Sequence, residues 1–148
     1  MRDAINILKV KYYAALNGNV TINSATVPIY DGMAPDDAAT PYIVLGDTTD
    51  VDESDKTHDG HNVTILVDCV DSAQGKGIDT TDINSMADQV LQQVRTRSAS
   101  YLDLSSTFKM VTANLVLNQS LIEQSESQKY IRRLIRIRHL IYEVNKAV

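Results

Sequence analysis

The chain has 148 residues, enough for one ordinary domain, with 43% hydrophobic residues and a formal net charge of −5. Only 5% of its residues are aromatic and acids outnumber bases, which disfavours a protein built to stack on or attract nucleic acid. The single cysteine, Cys69, excludes an internal disulfide. No segment approaches the roughly 20 apolar residues that a membrane-spanning helix needs. We therefore expect one soluble domain, residues 1–148, with no membrane partner.

The first part of the chain predicts a helix over residues 3–17. Apolar side chains recur at helical spacing at Ile5, Leu8 and Tyr12. Asp3 is placed to accept hydrogen bonds from the free N–H groups of the first turn. Gly18 supplies a residue that adopts the positive φ with which helices often end.

All three prolines of the chain, Pro28, Pro35 and Pro41, lie within residues 27–46. A short extended piece over residues 26–30 leads into this window. Proline fixes φ and removes a backbone donor, so it suits bends and the first position of a strand. We interpret the window as a rigid crossover with an exposed tip at residues 34–40.

Two strands follow, over residues 42–54 and 61–71. The second alternates regularly, with Val63, Ile65, Val67 and Cys69 on one side. Asp59-Gly60 lies between the two strands and is a strong hairpin signal. Because the first strand becomes acidic towards its end, the hairpin tip is expected to be negatively charged.

The second half of the chain predicts a helix over residues 80–97 and two long strands over residues 107–122 and 129–144. The helix has the best apolar stripe in the sequence, from Ile83 to Val94, and a polar turn at residues 123–128 joins the strands. The order of elements predicts an α+β fold: an antiparallel sheet of about four long strands with two helices packed on one face.

Charge is unevenly distributed along the chain. Residues 31–59 carry nine acids and one base, for −8, whereas residues 95–148 carry nine bases and four acids, for +5. In the last strand, Arg132, Arg136 and Arg138 project from one face. Three interpretations remain open: they pair with acids on a neighbouring strand of the same chain, with 42–54 offering those acids; they contact another subunit; or they bind nucleic acid.

Possible catalytic groups are few. His58 and His61 lie near Asp55 and Asp59, which leaves a metal-assisted hydrolase as an alternative, although a solvated turn explains the cluster more simply. Cys69 fits a small buried hydrophobe. His139 shares the isoleucine face of the last strand and is expected to be partly buried or at a sheet edge. We predict no catalytic residue, metal or cofactor.

One stretch carries a family resemblance. Ile29, Tyr30 and Asp31 are followed by a short polar loop and then by "PYIVLG" at residues 41–46. This pattern, after an N-terminal helix and before an alternating strand and an amphipathic helix, resembles the bacteriophage tail terminator family, also called tail completion or head–tail joining proteins.

The resemblance implies a non-enzymatic structural protein of the virion, assembled in the host cytoplasm. Such proteins form a ring, commonly a hexamer, at the head-proximal end or neck of the tail. Their partners are the tail-tube protein, head-completion, connector or portal proteins, and viral DNA that passes through the lumen without sequence-specific binding.

Under this resemblance, acids and arginines of unlike regions are expected to meet at subunit or ring interfaces. The tip at residues 34–40 is expected to contact a neighbouring subunit or the next ring. The predicted interface residues are Asp36, Asp37, Asp50, Asp52, Glu53, Asp55, Arg132, Arg136 and Arg138.

Overall fold

A computed structural model of the protein describes residues 1–73, 79–95, 102–125 and 127–144. Its elements in chain order are α1 (Ile5–Leu16), β1 (Thr21–Ile22), β2 (Ala25–Thr26), β3 (Ile29–Asp31), β4 (Tyr42–Asp52), β5 (Gly60–Ala73), α2 (Thr81–Val94), β6 (Phe108–Gln124) and β7 (Lys129–Glu143). Among the described residues, no helix is long and apolar enough to span a membrane.

The main sheet has the strand order β3-β4-β5-β7-β6. The four long strands pair antiparallel with one another, which confirms the predicted α+β class. The extended piece predicted over residues 26–30 corresponds in part to β3, which adds a fifth strand to the sheet. Its parallel pairing with the start of β4 and the separate small hairpin of β1 and β2 were not predicted. Strand β5 lies between β4 and β7, so the acidic strand β4 and the arginine-rich strand β7 are not neighbours.

Alternate residues of the sheet build the core with the two helices. The predicted side of β5, from Val63 to Cys69, is fully buried, as are Ile135 and Ile137 of β7. Leu8 and Tyr12 of α1 and Ile83 and Met86 of α2 complete the same cluster. Both helices therefore lie on one face of the sheet, here called the covered face. On the opposite, open face the described residues place no helix.

The predicted capping groups act near the helix starts. The Ile5 N–H donates to Asp3 Oδ1 at 3.0 Å, although Ala4 occupies the cap position itself. Asp79 similarly accepts from the Thr81 N–H at 2.9 Å. Gly18 has φ +79°, as its place after α1 requires. The second helix ends at Val94 rather than residue 97, and residues 96–97 lie outside the described ranges.

The expectation for His139 is wrong, because β7 lies inside the sheet and the side chain is fully buried. His139 Nδ1 is 2.9 Å from the Val63 carbonyl oxygen, so this nitrogen carries the proton and donates. The Tyr12 hydroxyl then donates to His139 Nε2 at 2.6 Å. This pair of hydrogen bonds joins α1 to the two central strands.

Burial lowers the pKa of His139 to about 4, against the raising effect of the bond to Val63. Between pH 6.5 and 4 the unfolded chain takes up a proton at this residue that the native protein does not. We predict that the free energy of unfolding falls as pH drops through this window, by up to about 3 kcal/mol from His139 alone. In urea titrations, His139→Asn should show a shallower pH slope than wild type. Equal slopes would contradict the assignment.

Gly60 is required where β5 leaves the hairpin. A Cβ there would lie 2.4 Å from the Glu53 carbonyl oxygen and 2.9 Å from Tyr142 Cε1. The Glu53 N–H also donates to the Gly60 carbonyl at 2.9 Å, which holds the two backbones together. We predict that Gly60→Ala lowers the free energy of unfolding by about 1–3 kcal/mol.

Gly46→Ala is the matched control, since its Cβ would make only ordinary contacts, the nearest at 3.5 Å from the Leu66 carbonyl oxygen. It should change stability by less than about 1 kcal/mol. Equal urea midpoints for the two variants would show that the neighbouring backbone shifts to make room for a Cβ at position 60.

Candidate assembly interface

The open face of the sheet is both basic and apolar. Along β7 it presents the even-numbered side chains Tyr130, Arg132, Leu134, Arg136, Arg138, Leu140 and Tyr142, all at least partly exposed. Their neighbours across β5 include Leu66, opposite Arg136, and Thr64, opposite Arg138. A half-exposed surface that combines arginine, leucine and tyrosine has the composition of a protein interface rather than of a plain solvated face.

Arg132 is compensated within the chain. Its Nη1 is 3.2 Å from Glu123 Oε1 on β6, and its Nε is 3.9 Å from Asp68 Oδ2 on β5. Burial raises the pKa of Asp68, and the Arg132 charge opposes that shift. Arg132 thus favours the charged form of this partly buried carboxylate.

Arg136 and Arg138 differ from Arg132. Neither forms an ion pair with any residue in the described part of the chain. Arg136 lies between Leu66 and Leu117 in the cross-strand register, and Arg138 between Thr64 and Asn114. Arg136 and Arg138 are therefore left for an external anion or for solvent.

The interpretation that acids of strand 42–54 pair with these arginines inside the chain is wrong. β5 separates β4 from β7 across the whole sheet. Pairing with neighbouring strands does occur for Arg132, but its partners are Asp68 and Glu123. The alternation of β5 placed Asp68 on one face of that strand, yet no local signal shows which strand stands beside it.

The hairpin between β4 and β5 carries fixed negative charge. Asp52 accepts from the Ser54 side chain and N–H, and Asp55 accepts from the N–H groups of Thr57 and His58, both at 2.7 Å. The Ser54 bonds lower the pKa of the Asp52 carboxyl, and the Thr57 bonds, followed by that from His58, do the same for Asp55. With the exposed Glu53 between them, these residues form an acidic tip, residues 52–55.

The other predicted acids lie elsewhere. Asp36 and Asp37 are exposed on the crossover between β3 and β4. Asp50 Oδ2 is 2.8 Å from His61 Nδ1. One predicted acid and one predicted arginine, Glu53 and Arg138, line the same shallow depression of about 280 Å³ on the open face.

The two histidines of the hairpin have separate environments. His61 is buried on the covered face between Asp50 and Glu143, whose Oε1 is 3.9 Å from His61 Nε2. His58 is exposed and stacks on Tyr142 with ring centroids 5.6 Å apart. The described residues contain no group of three or more histidine, cysteine or acidic side chains arranged to hold a metal ion.

Comparisons with known proteins decide the family. The family described as Tail completion protein gp17 matches residues 11–142. The chain belongs to this family. It is therefore a structural protein of the bacteriophage tail and not an enzyme, which confirms the resemblance seen in the sequence and makes the hydrolase alternative wrong.

A solved structure supports the fold. A chain from the "Virion of native gene transfer agent (GTA) particle" superposes with a TM-score of 0.57 over 96% of this chain and 87% of that one. The two sequences are 20% identical, so the likeness shows the fold alone. No curated protein matches this tail completion protein.

Arg132 and Arg136 have different surroundings, so replacing each of them should change stability by different amounts. Arg132→Met removes the nearest cation from Asp68, whose side chain is only 17% exposed, and should lower the free energy of unfolding by about 1–3 kcal/mol. Arg136→Met, the matched control, breaks no ion pair within the described ranges and should be nearly neutral. Urea unfolding of both variants, checked for concentration independence, measures the difference. Equal losses would mean that Arg132 acts only through its aliphatic stem.

Proposed function

We propose that this tail completion protein forms a homo-oligomeric ring, a hexamer by the family resemblance, at the head-proximal end of the tail. The ring joins the tail-tube protein to head-completion, connector or portal proteins, and it resides in the virion after assembly in the host cytoplasm. The observation that carries the proposal is the pair Arg136 and Arg138, two cations on the open face that form no ion pair with any of the described residues.

Unlike surfaces on one chain suit a head-to-tail contact. The acidic tip lies in the hairpin where β4 leads into β5, whereas the arginines lie on β7, which β5 separates from β4. When one surface of a copy meets a different surface of the next, the contact repeats and closes into a ring if the rotation allows. Opposite charges then fix the orientation and speed the encounter.

The proposed contact involves the residues predicted from the sequence. The acids are Asp36, Asp37, Asp50, Asp52, Glu53 and Asp55, and the arginines are Arg132, Arg136 and Arg138. Asp50 and Arg132 already have partners within the chain, so we assign them supporting positions. Asp36 and Asp37, on the exposed crossover, are placed to contact the neighbouring subunit or the next ring of the virion.

The net charge supports passage of DNA rather than binding. Each chain carries −5, so six copies would carry −30. A ring of that charge repels phosphate over a Debye length and does not hold the polymer in place. The scarcity of aromatic residues gives bases little to stack on.

The test is assembly of the purified protein at high concentration and low salt, measured by light scattering and by negative-stain microscopy. We predict rings for the wild type and a shift to monomer for Arg136→Glu, because the acidic partner would then meet a like charge. Lys11→Glu on α1 makes the same charge change on the covered side and should leave assembly intact. A wild type that stays monomeric at all concentrations would overturn the proposal.

A charge exchange identifies the partner of the arginine. Glu53→Arg is combined with Arg136→Glu in one chain, and Asp36→Arg with Arg136→Glu in another. The pair that restores rings names the acid that Arg136 meets. If neither double variant restores rings, and if Arg136→Glu binds DNA no better than the wild type does, the arginine face contacts a different virion protein. Salt-sensitive retention of the wild type on DNA, lost in Arg136→Glu, would instead favour a nucleic-acid-binding module.

A further inference from the structure

Strand β6 forms a long, uncharged edge of the sheet. From residue 110 to residue 122 it contains no Lys, Arg, Asp, Glu, Pro or Gly, and charges return only at Lys109 and Glu123. Within the described residues β6 pairs with β7 on one side and with no strand on the other, where Arg95 Nε donates to the Ala113 carbonyl at 2.9 Å. Soluble proteins usually protect such an edge with charge or proline. Apart from this one arginine contact, which a pairing strand would have to displace, β6 has no such protection, which indicates a strand that another chain covers.

Exposed apolar side chains mark the same strand. Val111, Leu115, Val116 and Ile122 are each 37% to 53% exposed. The other side of the sheet also has a free edge, because β3 pairs only with Ile43–Leu45 of β4. This second free edge carries Val51, which is 59% exposed.

The two free edges match in position and direction. Through the register of the sheet, Thr112 stands level with Leu140, Asn62 and Val51, and Leu115 stands level with Ile137, Ile65 and Thr48. Three successive antiparallel pairings also make β6 antiparallel to β4. A neighbouring copy whose strands keep the same direction therefore offers its β4 edge antiparallel to β6, and a rotation about an axis along the strands, as in a ring, preserves that direction.

Each edge has a short regular segment, and the segment on β4 is long enough to pair with the whole of that on β6. Register shifts on β6 fall between Met110 and Thr112 and between Leu115 and Leu117, which leaves Thr112–Leu115 regular. On β4 the shift falls between Leu45 and Thr48, which leaves Thr48–Asp52 regular. Bulges break a ladder, so they limit where a neighbouring strand can pair.

We propose that Thr112–Leu115 of one copy pairs antiparallel with Thr48–Val51 of the next copy, as an intermolecular extension of the sheet. This inference rests on the proposed ring. It sets Thr112 opposite Val51, Ala113 opposite Asp50, Asn114 opposite Thr49 and Leu115 opposite Thr48, with matching faces in every pair.

Charge supports this occupant over two others. The uncharged β6 places no like charge beside the aspartates of the incoming β4, and Lys109 lies level with the end where Asp52 and Glu53 arrive. Two β6 strands in a symmetric dimer would leave the aspartate-bearing edge unused. A strand from a different virion protein is the remaining possibility, and the test below separates all three.

A disulfide between edges tests the pairing directly. In Thr49→Cys/Asn114→Cys the two positions lie three strand spacings apart within one chain, about 14 Å, too far for an internal bond. The native Cys69 does not compete, because it is buried and burial raises the pKa of its thiol to about 12. Mild oxidation at low salt should give a ladder of covalent oligomers on a non-reducing gel.

The controls distinguish the outcomes. Thr49→Cys/Gln119→Cys displaces the second cysteine along β6 and should cross-link at least tenfold less. Rings that form without specific cross-links would overturn the β6–β4 pairing and leave the ring intact. Dimers from Asn114→Cys alone would show that β6 pairs with itself. Monomers under every condition would overturn both the pairing and the ring.

A second variant tests the edge without cysteine chemistry. Leu115→Lys adds a protecting charge within the proposed ladder at a side chain that is 41% exposed, so the fold should tolerate it. Ile122→Lys makes the same change outside the ladder on the same strand. We expect Leu115→Lys to raise the concentration needed for ring assembly at least tenfold and Ile122→Lys to leave it within twofold. Equal effects would contradict the assigned segment.

Discussion

The insertion of β5 between β4 and β7 is the constraint on which the charge distribution of this tail completion protein depends. Neighbouring strands lie about 4.8 Å apart, so β4 and β7 are about 10 Å apart, close to the screening length at physiological salt. The aspartates of β4 therefore do not neutralise Arg136 and Arg138. Among the described residues, Arg132 alone of the three finds acids on its neighbouring strands, Asp68 and Glu123. The strand order thus leaves Arg136 and Arg138 available for the proposed contacts between copies.

The two faces of the sheet differ because the described helices cover one face and leave the other open. On the covered face, the Tyr12–His139–Val63 hydrogen bonds fasten α1 to the centre of the sheet, and the neutral histidine satisfies both groups without burying a charge. The open face has no such cover among the described residues and keeps leucines and tyrosines half-exposed beside the arginines. A monomer gains nothing from that composition, whereas an assembled protein buries it at an interface.

Local patterns in the sequence predicted the elements well, because a period of two or 3.6 residues is written in the side chains themselves. The alternation in β5 and the stripe in α2 both appear in the fold. Strand order is set by packing between distant segments, so the sequence did not reveal that β7 is interior. The burial of His139 and the Asp68–Arg132 pair follow from that one fact. The three-residue β3 was too short to carry a period.

The proline window now has a defined effect on the free edges. Pro28 precedes β3, and its carbonyl accepts from the Ile43 N–H at 2.9 Å, which starts the parallel pairing. Gly32 donates to the Leu45 carbonyl at 2.9 Å and then turns the chain away at φ +77°. The crossover therefore covers β4 only as far as Leu45 and leaves Thr48–Val51 uncovered. A longer β3 would close the edge that the next copy is proposed to use, so the proposed pairing requires this strand to be short.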